Sequence, residues 1–433
     1  MREWVRVGRR RHGGLARAGA EPGLLATGRY VVTYGLVWLC AVAVLATDVA
    51  VMLNRGAPWR GDLIWTIDWI SIGFVLVGPI IAGLVAVDTV RLGAGVKDLP
   101  LSRGRSGDLT VALTYGVTLG VLHLVVTLAT VMISGPPVLD PGAPLAVLAQ
   151  VAMLGFFVAL GSVVGRFAPP VLGGIGAALA ALVAVYLLSS PGADAGLLYG
   201  GAATTPRLGY AYDTAWLVVQ VLALVVVIVA LWAVRPAPSA SLSRRALIPA
   251  LAGVVVLAAG AAPSTMPGER LEATGAHPDA CGALAGVPWC YYPQHERVVG
   301  LYADDLLALF DAASEHGYDG LVPLEVAEAD QRTWPGDETT GAFSVTPEVL
   351  AGARPDLWET AVRLVEPVHC TQLQGDLPPG EAYWDDLTAL TATWVGLVDA
   401  ELPEHYGYVD EPLTPAEAQT LLAQFRTCTY PFA

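Results

Sequence analysis

The feature that most constrains this chain is a succession of apolar runs, each near the length a helix needs to cross a bilayer. About 20 predominantly apolar residues span the hydrocarbon core. Seven segments reach or approach that length: 31–53, 63–90, 109–134, 144–165, 169–189, 214–234 and 246–262. The last is the shortest, and the fifth is rich in Gly and Ala. In lipid every backbone polar group needs an internal partner, so such segments are expected as helices. Only 15% of the 433 residues are charged, against roughly 25% in soluble proteins. The expected class is an all-α polytopic membrane protein with about seven transmembrane helices, and not a cytosolic enzyme, a fibre or a disordered chain.

Charge divides the chain in two. Residues 1–262 hold 18 basic and 11 acidic residues, whereas residues 263–433 hold 6 basic and 28 acidic. Orientation follows from the basic residues in the short loops. With the N-terminus cytoplasmic, the inner side collects Arg2, Arg6, Arg9, Arg10, Arg11, Arg17, Arg29, Arg91, Lys97, Arg103, Arg105, Arg166, Arg235, Arg244 and Arg245. The outer loops keep Arg55, Arg60 and Arg207. Seven spans then place residues 263–433 outside the cell membrane. Residues 1–28 lack a compact apolar core with a cleavage site, so the first span is expected to act as an uncleaved signal. The basic N-terminus to residue 30 either lies on the inner leaflet or is a tail that enforces topology.

The cysteines agree with that division. Cys40 lies in the first span as a small apolar residue. Cys281, Cys290, Cys370 and Cys428 all fall in the acidic part, where an even number reads as disulfides. Four cysteines allow three pairings that sequence does not separate; a local Cys281–Cys290 loop with a Cys370–Cys428 staple is the expected one. No Cys-x-x-Cys or His-Glu-x-x-His pattern points to a metal, and no cofactor is expected.

After a linker at 263–280, residues 281–433 are expected to form a mostly helical, disulfide-stapled domain large enough for its own core. Helices are expected at 298–316, 355–366 and 380–400 from their apolar stripes. Another opens at Thr414-Pro-Ala-Glu417, a capping box with proline in the first turn. The segment Cys290-Tyr-Tyr-Pro-Gln-His-Glu296 concentrates unusual residues. It reads either as a site or as a disulfide-anchored turn. The acidic surface favours cationic partners such as basic peptides or divalent cations; nucleic acid is not an expected partner.

Motifs of an enzyme or motor are missing: there is no phosphate-binding loop, and Lys97 is the one lysine. No nucleophile elbow is present. Polar groups within spans are the functional candidates. Asp48 and Asp68 lie toward the outer ends of the first two spans, near Arg55 and Arg60, and read as ion pairs with those arginines or else as substrate- or proton-handling groups; His123, near the middle of the third, reads as such a group or as a donor to a neighbouring helix's carbonyl. Asp88 stands three residues before Arg91, at helical pairing distance. Gly116-x-x-x-Gly120 and Gly161-x-x-x-Gly165 predict close helix approach, and Pro79 predicts a kink in the second span.

The cytoplasmic loop 91–108 carries Leu99-Pro100-Leu101-Ser102-Arg103. With the basic N-terminus and six spans over 31–235, it resembles the permease subunits of ABC exporters. In that family this loop forms a coupling helix that docks on a separate ATPase subunit, and the permease subunits pair as homo- or heterodimers in the bilayer. The chain departs from the family by adding a connector with a seventh span (236–262) and the exported domain. It resembles in this the permease-like proteins of high-GC bacteria with a Cys-containing extracellular tail. The resemblance implies transport with a separate ATPase; the competing expectation is a membrane-anchored sensor whose exported domain binds a ligand.

Overall fold

The computed structural model describes residues 31–33, 35–97, 106–189, 196–234, 269–275, 277–329, 338–370, 380–408 and 410–431. Six helical stretches are long and apolar enough to cross a membrane, which makes this a multi-pass membrane protein. They are α1 (Val37–Leu53), α2 (Leu63–Ile70) continuing into α3 (Phe74–Lys97), α4 (Ser106–Ser134), α5 (Ala143–Phe167), α6 (Pro170–Leu188) and α7 (Thr214–Ala233). The expected seventh span, 246–262, and the proposed coupling segment Leu99–Arg103 lie outside the described residues, as does the basic N-terminus.

Local chemistry fixes the helix starts. Asp62 caps α2 by accepting from Trp65 N–H, and Asp213 caps α7 by accepting from Ala215 and Trp216 N–H. Prolines occupy the first turns of α5 and α6, where no N–H partner is needed. Outside the bundle, faces such as Val121, Val125, Leu128 and Met132 on α4 are exposed apolar surface, as lipid contact requires.

Small residues set the closest helix contacts. A Cβ on Gly161 would lie 2.3 Å from Ala82 O and one on Gly165 2.5 Å from Ala86 O. The second Gly-x-x-x-Gly pair therefore works as expected, packing α5 onto α3. The first does so only in part. Gly120 faces Val151, but Gly116 faces open space. Pro79 lies within α3, which runs on as one helix. The break in the second span falls instead at Ser71–Gly73, a 3-10 turn. There Ser71 Oγ donates to Asp68 O, drawing the backbone into an i−3 pattern.

α5 and α7 run in the same direction. Asp140 and Gly142, just before α5, meet Tyr212, just before α7. At the far ends Arg166 donates to the carbonyls of Trp232 and Val234. We call the Tyr212 end the upper end. Strand β1 (Tyr210–Tyr212) at that end pairs antiparallel with β2 (Leu271–Ala273). Part of the expected 263–280 linker is thus strand held to the bundle, because β1 offers a free edge to it. Val234 lies at the lower end, so the chain has returned to the upper end by residue 271.

The C-terminal domain contains the expected helices: α8 (Glu296–Glu315), α10 (Leu357–Val365), α11 (Glu381–Val398) and α13 (Pro415–Arg426), with the short α9 (Pro347–Leu350) and α12 (Leu402–His405). The Thr414–Glu417 capping box is complete. The domain also holds a four-stranded sheet absent from the sequence expectation: β3 (Ala280–Leu284), β4 (Val287–Tyr291), β5 (Glu325–Glu328) and β6 (Thr340–Phe343), in that order. β3 and β4 form an antiparallel hairpin, and β4–β5 and β5–β6 are parallel. The strands have four or five residues; β3, β5 and β6 are built largely of Ala, Gly and Glu and β4 contains a proline, so no alternating pattern marks them. Ala285 and Gly286, both at positive φ, make the hairpin turn.

Trp289, Phe310, Phe343, Leu364, Trp394 and Phe425 lie in the domain core. That core does not stop at the domain boundary. Trp59, Trp65 and Trp69, from the upper end of the bundle, belong to the same buried apolar cluster.

Candidate functional site

A polar layer lies just below the upper end of the bundle, under the C-terminal domain. Asp68 stands on α2, five residues after the start of the second span at Leu63, and is fully buried. Its Oδ1 accepts from Tyr212 Oη at 2.9 Å and from Arg270 Nη2 at 3.1 Å. Arg270, also fully buried, donates through Nη1 to Gln220 Oε1 at 3.2 Å and lies 5.3 Å from the Tyr212 ring. Gln220 Nε2 lies within bonding distance of the carbonyls of Tyr199, Leu197 and Gly196. Burial alone lowers the Arg270 pKa, and the Asp68 carboxylate and Tyr212 beside it raise it by more. Burial first, then the Asp68 charge, push the Tyr212 hydroxyl well up. Tyr212 Oη and Arg270 Nη2 thus converge on one oxygen of Asp68.

The loop before β1 closes over this group. Gly201, at φ +107°, packs so closely that a Cβ would lie 2.0 Å from Asp68 Cγ. Only glycine combines that backbone with that approach. Ala202 N–H donates to Ser71 Oγ, Trp65 Nε1–H to Ala203 O and Arg207 N–H to Asp62 Oδ2. Burial raises the Asp62 carboxyl, while the N–H groups of Trp65 and Arg207 pull it down.

A second group lies beside the first. His123 Nε2 is 3.0 Å from Gln150 Oε1, and His123 Nδ1 is 3.3 Å from Asp48 Oδ2; all three residues are buried. Gln150 Nε2 donates to Ile67 O at 2.8 Å and Gly200 O at 3.2 Å. Its amide hydrogens are thereby used, so Oε1 is the acceptor and His123 Nε2 carries a proton. Asp48 Oδ1 and Asp68 Oδ2 have no hydrogen-bond partner among the described residues.

The expected pairing of Asp48 and Asp68 with Arg55 and Arg60 is therefore replaced. Asp68 pairs with Arg270, from a segment 202 residues away in sequence, and Asp48 pairs with His123. Arg55 and Arg60 belong to the α1–α2 connection, where Arg55 itself has a left-handed backbone. Asp88 does meet Arg91, at 3.3 Å. It does more besides, since its Oδ2 accepts from Leu36 N–H and Tyr115 Oη, each at 2.5 Å, and so ties the start of α1 to α3 and α4.

Above the layer, the domain sits on the α1–α2 connection. A Cβ on Gly61 would lie 2.2 Å from Gln294 O, and one on Gly56 2.9 Å from Ala351 O. Arg297 donates to Arg60 O and, at 2.9 Å, to Leu350 O. Burial, and then the Arg60 charge, lower the Arg297 pKa. The aromatic segment 290–296 forms this seat. Its His295 is buried and bonds through Nδ1 to the buried Glu328, whose other oxygen accepts from Tyr292 N–H at 3.0 Å.

Both expected disulfides are formed. Cys281 and Cys290 are cross-strand partners in the β3–β4 hairpin, and Cys370 is joined to Cys428. Among the described residues, His369, Cys370 and Cys428 are the one set close enough to hold a metal. With both sulfurs in the disulfide, only the imidazole remains, and its Nε2 is 2.8 Å from Arg426 O.

Sequence reading identified Asp48, Asp68, Asp88 and His123 but missed Gln150, Tyr212, Gln220, Arg270 and Glu328. Gln150 and Gln220 are polar residues within apolar runs, which was a usable signal. Arg270 sits in a linker and carries no local one. No known protein family, curated protein or solved structure matches the chain.

Proposed function

We propose that this chain is the membrane subunit of an ABC-type export system. In this reading the N-terminus is cytoplasmic, a seventh passage carries residue 271 back to the outer face, and the segment 91–108, whose ends belong to α3 and α4, engages a separate ATPase. The C-terminal domain then receives or gates the substrate at the outer mouth, and the membrane subunits pair. The observation that carries the proposal is the buried Asp68–Arg270–Gln220 group. Charges inside membrane helices are rare and concentrate at working sites. Here they join the second and sixth spans to the segment that leads into the outer domain, so a movement of the bundle changes how the domain is held. The resemblance of residues 1–235 to exporter permeases supports the same reading.

Gentle solubilisation of the full-length protein from its native membrane tests this reading. An ATPase is expected to co-purify, and reversing the charges at Arg103 and Arg105 is expected to release it. If no ATPase co-purifies under any mild detergent, the reading fails.

A second reading, a membrane-held sensor, is favoured by one observation: the domain core is continuous with Trp59, Trp65 and Trp69 of the bundle. It predicts that charge reversal in the 91–108 loop leaves function intact.

A further inference from the structure

The C-terminal domain carries a cleft of about 290 Å³ bounded by α8, the turn into α9, and α10. Its floor is Tyr302, Val349 and Thr360, all buried. The hydroxyls there are already used, Tyr302 Oη donating to Ser344 O and Thr360 Oγ1 to Asp356 O. The walls are charged. Arg363 is held by Glu366 at 2.7 Å, and Asp356 caps α10 and accepts from Tyr406 Oη. The other three charges, Arg354, Glu348 and Glu359, are exposed, and their side chains make no hydrogen bond or ion pair.

The rest of the domain sharpens the contrast. Residues 263–433 contain six arginines and no lysine against 28 acidic residues. Arg270 is bonded to Asp68 and Gln220, Arg297 to two carbonyls, Arg363 to Glu366, and Arg426 to the carbonyls of Gly320 and Leu321. Among the described residues, Arg354 is the one arginine of this acidic domain without a hydrogen bond or ion pair; its charge acts on the Asp305 carboxyl from a distance, and it lines the cleft. A cleft with only free carboxylates would take any small cation; a lone free guanidinium would take any small anion. This one offers one free guanidinium and two free carboxylates within a volume at the small end of ligand pockets.

We propose that the cleft binds a small amphoteric molecule, of amino-acid to dipeptide size, with one carboxylate and one or two cationic groups. The carboxylate is taken by Arg354, whose planar fork matches it, and the cationic groups by Glu348 and Glu359. This deepens the substrate-receiving role of the outer domain and rests on that reading for its purpose, though not for the binding itself. The cleft is also placed to report occupancy. Val349 lines it, and the next two residues lead to the membrane part: Leu350 O accepts from Arg297, which also donates to Arg60 O, and Ala351 packs on Gly56.

Calorimetric titration of the full-length protein in detergent tests this with three probes: L-lysine, cadaverine (the same two cations without the carboxylate) and acetate. L-lysine is expected to bind at least tenfold more tightly than either of the others. Arg354→Gln is expected to reduce lysine to the level of cadaverine and to leave cadaverine unchanged. Glu359→Gln is expected to weaken both at least threefold. All three side chains are exposed and unbonded, so unchanged thermal unfolding of the variants checks that the fold is retained. The proposal is overturned if lysine binds no better than cadaverine, if Arg354→Gln leaves lysine binding unchanged, or if no probe gives heat. Loss of the ATPase reading would leave these titrations unaffected, and a negative titration would leave the co-purification result standing.

Discussion

Replacing Arg270 by alanine should be among the most damaging single changes in the bundle. The Nη2···Oδ1 distance to Asp68 is 3.1 Å with both side chains buried. At an effective dielectric constant of about 20, two charges that close attract by about 5 kcal/mol. Removing the arginine leaves the Asp68 carboxylate with Tyr212 as its remaining donor, and leaves Gln220 Oε1 without its arginine. Breaking a buried pair in this way costs about 3–5 kcal/mol, most of it the uncompensated charge. The double variant Asp68→Leu/Arg270→Met removes both charges and should cost less than either single change, with only the Tyr212 hydroxyl and Gln220 to re-satisfy, at about 1–3 kcal/mol. Reversible unfolding in mixed micelles gives the cycle, and amide exchange at residues 210–212 and 271–273 reads the latch itself. Exchange there should accelerate in Arg270→Ala. If the single variant costs under about 1 kcal/mol, as a screened surface pair would, or if the two changes simply add, Asp68 and Arg270 are not the coupled buried pair described above.

Two further outcomes follow. Gly201→Ala should destabilise the loop over Asp68, since φ +107° is strained for alanine by about 1–3 kcal/mol and the new Cβ collides with the carboxylate. Thermal unfolding and exchange protection of residues 196–209 should both fall. The two disulfides should differ in weight, because the chain-entropy contribution grows with loop length. For separations of 58 and 9 residues it is about 4 kcal/mol for Cys370–Cys428 and about 2.5 kcal/mol for Cys281–Cys290. Denaturant midpoints of the paired Cys→Ser variants should rank in that order.

The membrane helices and the surface helices of the domain were legible in sequence for the same reason: each is decided over 10–30 consecutive residues. An apolar run of bilayer length, an amphipathic stripe from Val299 to Phe310, and a capping box at Thr414–Glu417 are all local statements, and the structure carries each of them. The sheet was not legible. Its strands are four or five residues long and acquire their meaning from β4–β5 and β5–β6 partners brought together by a helix and a long connection.

The candidate site divides along the same line. That Asp48, Asp68 and His123 would need partners followed from their place in apolar segments, where an unpaired polar group is costly. Which groups would satisfy them did not follow. The nearest arginines in sequence, Arg55 and Arg60, went to the loop, and the charge of Asp68 was met by Arg270 from beyond the sixth span. Sequence determined that the demand for a partner existed, because burial of a carboxylate is a local cost. Only the tertiary structure decided who answers it, because a hydrogen bond depends on ångström-scale distance and direction, which chain separation does not encode.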